Sequence, residues 1–133
     1  MKKKVSVCFV HCNSDHSIIG YYTLSNGSIS RTELPPTLQH RLPHYEQLPV
    51  IILGRLAIDR SHQKKNLGAL LLMDALQRSY AAAAAIGSYA VFVHPIDEAA
   101  SRYYQRFGFI LLPDSGKLFL PMQTIEMVLI DQT

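Results

Sequence analysis

A short polar segment with two lysines and a glycine is the part of this chain best suited to hold a ligand. It reads Gln63-Lys64-Lys65-Asn66-Leu67-Gly68-Ala69, follows an apolar stretch typical of a strand, and opens onto a segment rich in Leu and Ala. The order strand, basic loop, glycine and helix gathers main-chain N–H groups and the positive end of a helix dipole at one spot. We expect this spot to bind the diphosphate of a pyrophosphate-bearing cofactor.

Within the segment, Gly68 permits close approach of the backbone to a ligand. The N–H groups near Asn66, Gly68 and Ala69 could cradle a diphosphate, and Lys64 and Lys65 would add positive charge. An ordinary strand-to-helix turn with a solvated lysine pair explains the same residues, and the loop alone does not decide between the two interpretations.

Two motifs, in this order along the chain, resemble the GNAT superfamily of N-acetyltransferases. Residues 63–69 are similar to its Gln/Arg-x-x-Gly-x-Gly/Ala signature, with Asn66 where the family has its first glycine. Residues 104–109, Tyr-Gln-Arg-Phe-Gly-Phe, resemble its Tyr-x-x-Phe-Gly-Phe segment. The resemblance runs from about Val5 onward and is strongest to the acetyltransferase toxins of bacterial type II toxin–antitoxin modules. The stretches that carry that closer resemblance are residues 20–25, 53–59, 94–100 and 118–122.

The resemblance implies binding of acetyl-CoA, and it assigns residues to that binding. The pantetheine arm is expected to pair with the end of the central strand as an added strand would, while the neighbouring strand splays away. The expected cofactor-binding residues are Leu56, Ala57, Ile58, Gln63, Lys64, Lys65, Asn66, Leu67, Gly68 and Ala69.

The resemblance also makes Tyr104 the catalytic residue, as the general acid that protonates the departing thiolate. A phenol with a pKa near 10 stays protonated at neutral pH and is a competent donor. Tyr103 is the neighbouring ring, about 100° around the helix, and we expect it to pack into the core. Spacing alone would favour both tyrosines as core residues.

A general base is harder to find in the sequence. None of the 10 carboxylates lies within the central strand, where many small-molecule acetyltransferases carry a Glu. A lysine ε-amine usually needs help to lose its proton, whereas the α-amine of an aminoacyl ester is already largely neutral. The lack of a base therefore fits aminoacyl-tRNA, the substrate class of the toxins that the chain resembles, with a cognate antitoxin as a further partner.

Arg55 is the expected substrate-binding residue, because its charge lies on an otherwise apolar strand and must reach water, an acid or a ligand. Weaker candidates for contacts to tRNA phosphates share a positive or titratable side chain, for which a solvated surface position is the alternative. They are Arg31, His40, Arg41, His44 and His62.

Two other functions stay open at this point. One is a GNAT enzyme that acts on a small amine or a protein amine. The other is a shortened, non-catalytic protein that binds CoA or a partner. Asn66 motivates the latter, as does the expectation that the chain starts too late to contain the first strand and two helices of the family fold. An uncovered sheet edge would result, and we expect a homodimer to cover it.

Length and composition indicate one domain, which the resemblance makes a single N-acetyltransferase domain over residues 1–133, and we expect it to be cytoplasmic. Hydrophobic residues make up 48% of the chain, and the net charge of +3 is mild. Cys8 and Cys12 lie too far apart on a strand for a disulfide, so we expect reduced, packed thiols. The apolar run over residues 5–10 is too short for a signal peptide or a membrane span. No His/Cys spacing resembles a metal-ligand set, and we expect no metal.

Patterning predicts an α/β class with a mixed sheet flanked by helices. The resemblance implies that this is the acyl-CoA N-acyltransferase fold of GNAT proteins, shortened at its N-terminus. A turn is expected over residues 25–28. The predicted strands are 5–10, 18–24, 50–58, 89–94, 109–112 and 124–130, and the predicted helices are near 36–42, 67–85 and 97–106.

The longest predicted helix has internal signals. Leu70, Met73, Leu76 and Tyr80 recur at helical spacing and predict its buried stripe. Asp74 and Arg78 are spaced for an i,i+4 ion pair, and Gly87 is expected to end the helix. Asp97 is expected to cap the shorter helix that follows.

Overall fold

Six strands form one mixed sheet, and helices lie on both of its faces. The computed structural model describes residues 6–12, 14–15, 18–42, 45–58 and 67–131. In chain order the elements are β1 (Val7–Cys12), β2 (Ile18–Ser30), a 3₁₀ turn (Arg31–Glu33), α1 (Pro36–Gln39), β3 (Gln47–Ile58), α2 (Leu67–Ile86), β4 (Ala90–Val93), α3 (Glu98–Arg106), β5 (Ile110–Leu111), β6 (Leu118–Pro121) and α4 (Met122–Asp131).

The strand order across the sheet is β1-β2-β3-β4-β6-β5. Only β3 and β4 are parallel, joined by α2, and every other neighbouring pair is antiparallel. All four residues of β4 are buried, as expected of a parallel strand covered on both faces. The predicted α/β class with a mixed sheet is confirmed.

Each face of the sheet packs its own apolar cluster. The larger cluster joins the sheet to α2, α3 and α4, and the smaller one joins the opposite face to α1 and the 3₁₀ turn region. The larger includes Tyr22, Ile51, Leu53, Leu72, Leu76, Val91, Val93, Tyr104, Leu118, Leu120 and Ile125. The smaller includes Ile29, Leu34, Leu48, Val50, Ala90, Phe92, Leu112 and Phe119.

Two predicted elements are wrong. Residues 25–28 do not turn but continue β2, because they pair with residues 49–52 of β3 in an antiparallel ladder that outweighs local turn chemistry. Residues 124–130 are not the last strand but part of α4, and residues 118–121 form that strand. Met122, Ile125 and Leu129 recur at helical spacing and pack on the larger cluster, which explains the helix.

Helix α2 has the predicted bounds to within one residue. Of its predicted stripe, Leu76 is buried and Met73 and Tyr80 are half-buried against the larger cluster, but Leu70 is 63% exposed. The other buried residues of the helix are Leu71, Leu72, Ala75 and Ser79. The helix ends as predicted at Gly87, which has a φ of 85° and donates its N–H to the Ala83 carbonyl.

The edge strand β1 presents both cysteines to solvent. Cys8 and Cys12 are free and exposed, so the expected packed thiols are wrong, although the absence of a disulfide between them is confirmed. None of the described helices is long and apolar enough to cross a membrane.

A polar link fastens α2 to the sheet. Tyr22 donates a hydrogen bond to the Asp74 carboxylate, and Arg78 pairs with the same oxygen at 3.2 Å, which confirms the predicted i,i+4 pair. Arg78 also lies 4.2 Å above the Phe9 ring, which stacks on Tyr22. Burial alone would raise the pKa of Asp74, but the hydrogen bonds from Tyr22 and Arg78 and the Arg78 charge outweigh it and lower that pKa.

The first prediction concerns this link. Replacing Tyr22→Phe should lower the free energy of unfolding by about 1 kcal/mol at pH 7, a small loss because Asp74 stays half-exposed and can turn to water. Because folding lowers the pKa of Asp74, its carboxylate stabilises the folded protein above the unfolded pKa of about 3.9. This stabilisation is lost as the pH falls through the lower pKa of the folded state. The difference in free energy of unfolding between the native and Tyr22→Phe proteins should therefore narrow below about pH 4. Urea unfolding measures it, and the exposed Tyr45→Phe is the control, which should be neutral.

Candidate active site

A slot opens where β3 and β4 separate. Their parallel pairing runs from Val50 opposite Ala90 to Leu53 opposite Val93 and stops there, while β3 continues to Ile58. The β4 side of residues 54–57 is therefore left without a strand neighbour in the described structure. Backbone N–H and C=O groups exposed in this way accept an extended ligand as an added strand. The pairing thus ends at the place where the two strands were predicted to splay, and the splay itself stays a prediction.

A β-bulge lies directly beyond the last β3–β4 pair. Leu24 pairs with Leu53 and Tyr22 pairs with Leu56, so Gly54 and Arg55 together oppose the single residue Thr23. The bulge reverses the alternation of side chains along β3. Residues 51 and 53 before it and 56 and 58 after it all pack on the larger cluster. Without the extra residue, Arg55 would share a face with Leu53 and be driven into the core.

The bulge therefore explains how Arg55 is tolerated on this strand. Its side chain is exposed and forms no ion pair with any residue of the described ranges. Leu56, Ala57 and Ile58 are half-buried at the same strand end. The structure brings these four predicted site residues together along the slot.

The start of α2 faces this strand end. Leu67, Gly68 and Ala69 form its first turn and are half-buried. The predicted cofactor residues Gln63, Lys64, Lys65 and Asn66 lie outside the described residues.

Tyr103 reaches across from α3 to this turn. A Cβ placed on Gly68 would lie 3.2 Å from the Tyr103 hydroxyl and 4.0 Å from Ile58 Cγ1. A side chain at residue 68 would thus fill the space between α2, α3 and the end of β3. The sequence analysis missed Tyr103 as a site residue. The sequence clue was that Tyr103 directly precedes Tyr104, about 100° around the helix, on a face for which no apolar stripe was predicted.

Tyr104 is more deeply placed than its neighbour. The residue is only 7% exposed, and its ring lies 5.7 Å from that of Tyr103 and 5.4 Å from that of Phe109. Tyr103 packs against the larger cluster, as expected, but it is half-buried and is the more exposed ring of the two.

The Tyr104 hydroxyl nevertheless keeps contact with solvent. Among the described residues, every fully buried polar side-chain atom has a hydrogen-bond partner. No described residue hydrogen-bonds to the Tyr104 hydroxyl, so its oxygen is not fully buried. Burial, with a smaller effect of the adjacent Tyr103 phenol, raises the pKa of Tyr104 to about 12. The phenol is thus protonated throughout the neutral range.

The carboxylates around the carboxyl end of β4 have structural partners. Asp97 accepts a hydrogen bond from the Ala100 N–H and caps α3, as predicted, and Glu98 pairs with Arg102 at 3.8 Å. No Asp or Glu lies on residues 54–58 of β3. The described part of the slot therefore presents a phenol and backbone groups but no free carboxylate on its strand.

Other predicted phosphate contacts are remote from the slot. Arg31 donates to the Gln39 carbonyl at 2.5 Å and 3.2 Å and so stabilises the loop before β3. His40 and Arg41 belong to the same region, which precedes the start of β3 at Gln47, and Gln47 lies about 26 Å from Arg55 at 3.3 Å per residue of strand. His44 and His62 lie outside the described residues. No metal-binding group of three or more His, Cys, Asp or Glu occurs in the described part of the chain.

The two cavities next to α2 lie on its β1 side. They measure about 450 and 400 Å³, and both touch Phe9 and Arg78. Neither is lined by a residue of 54–58, so the slot is a separate feature and is defined by the strand geometry.

Comparison with known proteins places this geometry in a family. The profile described as "Acetyltransferase (GNAT) domain" matches residues 3–127. The chain belongs to the GNAT acetyltransferase family. A "tRNA-acetylating toxin" of Mycobacterium tuberculosis is 37% identical over 127 residues, which are 95% of this chain and 75% of that protein. The mixed sheet with flanking helices described above is the fold of this GNAT family.

Solved structures of AtaT superpose on more than nine-tenths of this chain. AtaT in complex with acetyl-methionyl-tRNAfMet superposes with a TM-score of 0.86 at 33% identity, over 94% of this chain and 76% of that chain. AtaTR bound with AcCoA gives a TM-score of 0.80 at 32% identity, over 94% and 75%. An AtaT variant with a Tyr replaced by Phe, bound to the C-terminus of the antitoxin AtaR, gives 0.77 at 31% identity, over 92% and 70%.

The crowding between Gly68 and Tyr103 yields a second prediction. Alanine is the better helix former, but a Cβ 3.2 Å from the Tyr103 hydroxyl must displace it. Gly68→Ala should therefore be nearly neutral in the native chain. It should raise the free energy of unfolding by about 0.5 kcal/mol in a Tyr103→Phe background, where the hydroxyl is gone. A double-mutant cycle by chemical unfolding measures the coupling. Equal effects in both backgrounds would show that the two groups do not meet.

Proposed function

We propose that this GNAT domain transfers the acetyl group of acetyl-CoA to the α-amine of aminoacyl-tRNA and thereby blocks translation. The observation that carries the proposal is the slot where the pairing of β3 and β4 ends, joined to the first turn of α2 and to the Tyr103–Tyr104 pair. The tRNA-acetylating relative and AtaT with acetyl-methionyl-tRNAfMet support the choice of acceptor.

The cofactor would lie along the slot. The backbone of Leu56, Ala57 and Ile58 would bind the pantetheine arm, and residues 63–69 would bind the diphosphate through main-chain N–H groups and the two lysines. The Tyr103 hydroxyl lies against Gly68, where a Cβ would come within 3.2 Å of it, and so borders the proposed diphosphate end of the site. Arg55, exposed beside the slot, would contact the negatively charged acceptor.

Tyr104 is the proposed general acid. The amine lone pair would attack the thioester carbonyl carbon, the C–S bond would break, and the thiolate would take the Tyr104 proton. The attacking amine would release its own proton to solvent, directly or through water. The described end of β3 offers no carboxylate base, which suits an acceptor amine that is already neutral.

The proposed physiological setting follows from the same relatives. We propose a cytoplasmic homodimer held inactive by a cognate antitoxin, in line with the solved AtaT complex with the C-terminus of AtaR. The sheet edge along β1 is where a second subunit could lie.

The deciding experiment incubates the purified protein with labelled acetyl-CoA and three acceptor classes: charged tRNA, a polyamine panel and peptides with free N-termini. Label should enter charged tRNA only, and base hydrolysis should release it as an N-acetylamino acid. Labelling of polyamines or peptides alone would overturn the tRNA assignment. Binding of acetyl-CoA with no transfer to any acceptor would support the non-catalytic alternative.

Removing the Tyr104 hydroxyl tests the assigned acid. Tyr104→Phe should lower kcat at least about 100-fold while leaving acetyl-CoA affinity and melting temperature nearly unchanged, because the ring packing is kept. Tyr89→Phe is the control, since Tyr89 is a half-buried tyrosine that directly precedes β4, at the end of that strand away from the slot. Its kcat should stay at the native value. Native turnover by Tyr104→Phe would refute the role.

The pH dependence should have one limb. The acid keeps its proton up to about pH 12, so the rate should rise as the acceptor amine loses its proton and then stay level to pH 10. An activity loss between pH 8 and pH 10 with the fold intact would point to an acid with a lower pKa than Tyr104. Initial rates with charged tRNA, corrected for spontaneous hydrolysis of the aminoacyl ester and combined with circular dichroism at each pH, measure this.

A further inference from the structure

A side chain of the neighbouring strand β2 hydrogen-bonds to the β-bulge at Gly54 and Arg55. The Arg55 N–H donates a hydrogen bond to the Thr23 hydroxyl oxygen at 3.1 Å. Thr23 is the single residue that the two bulge residues oppose. A side chain thus satisfies a backbone N–H that a regular antiparallel ladder would have bonded to a carbonyl.

Gly54 makes room for this contact. A Cβ on Gly54 would lie 2.5 Å from the Thr23 hydroxyl oxygen, closer than real Cβ contacts come. Gly54 does not have a positive φ, so its role is space rather than backbone conformation. Any larger residue would force Thr23 to rotate, and rotation would break the hydrogen bond to Arg55.

The bulge lies where the slot begins. The last β3–β4 pair is Leu53 with Val93, and the next two residues of β3 are those of the bulge. A bulge bends its strand and increases the local twist, which turns β3 away from β4. It also resets the alternation, so Leu56 and Ile58 anchor the strand end in the core.

We propose that Thr23 and Gly54 form a positioning pair that fixes the bulge and thereby aims the backbone of residues 56–58 at the cofactor slot. This inference rests on the proposed function, because it gives the slot its ligand. Thr23 lies on β2, on the far side of β3 from the slot, so it acts through the backbone and does not touch the ligand. The resemblance assigned no role to residues 20–25, the segment that contains Thr23.

The test compares Thr23→Val, which keeps the shape and removes the hydroxyl, with Thr23→Ser, which keeps the hydroxyl. Calorimetry with acetyl-CoA should show affinity weakened about tenfold in Thr23→Val and within twofold of native in Thr23→Ser. KM for acetyl-CoA should rise in the same proportion while kcat stays within twofold. Thr37→Val, at an exposed threonine of α1, is the control and should match the native protein.

A purely structural role predicts a different pattern, in which Thr23→Val lowers the melting temperature but leaves affinity unchanged. That result would overturn the proposal, as would equal weakening in Thr23→Val and Thr23→Ser. Native affinity in Thr23→Val, with native turnover on charged tRNA, would leave the proposed function standing and remove only the positioning pair. A native protein that binds no acetyl-CoA would defeat both.

The Gly54 half of the pair is tested by a cycle on folding. Gly54→Ala should destabilise the native chain more than it destabilises a Thr23→Ala chain. The Thr23→Ala chain lacks the hydroxyl oxygen with which the new Cβ at residue 54 would clash. Hydrogen exchange gives a direct readout, since the Arg55 amide should exchange at least about tenfold faster in Thr23→Val than in the native protein. Unchanged protection of that amide would show that the threonine does not hold the bulge.

Discussion

The backbone hydrogen bonds between β3 and β4 end at the Leu53–Val93 pair, while β3 runs on to Ile58. Backbone polar groups left this way must find a partner or water, and here they border the first turn of α2. The slot therefore arises from strand geometry and not from a shaped side-chain cavity. Such a site tolerates wide variation in side chains, because its specificity for an extended ligand comes from the main chain.

Side chains enter the site chiefly through two tyrosines and an arginine. Tyr103 reaches the start of α2, Tyr104 sits deeper with a raised pKa, and Arg55 stays exposed because the bulge turns it out of the core. The polar link of Tyr22, Asp74 and Arg78 holds α2 on the sheet, and so holds the helix start against the strand end. Stability and site geometry thus depend on the same packing of α2.

The sequence predicted well what strong local signals control. The capped start of α3, the glycine end of α2 and the central strand were all found, and the motif match identified where the slot lies. Features set by distant partners were missed. Residues 25–28 look like a turn but pair with β3, and residues 124–130 look like a strand but form part of α4, which packs on the larger cluster. Leu70 belongs to the apolar pattern of α2 but is exposed, because the sheet buries the neighbouring Leu71 and Leu72. The exposure order of Tyr103 and Tyr104 and the contact of Thr23 with Arg55 depend on the bulge and on helix crossing, which no local pattern encodes.

The parallel pair that forms the slot is also the least local part of the sheet. Strands β1, β2 and β3 follow one another as an antiparallel meander, whereas β4 reaches β3 only after the chain has passed through all of α2. Contacts between residues so far apart in sequence form late in folding, because closing the long intervening loop costs entropy first. A nascent chain that has emerged only as far as β3 therefore has no ligand slot. An enzyme of the proposed activity would remain harmless to the ribosome that makes it until most of the polypeptide has been released.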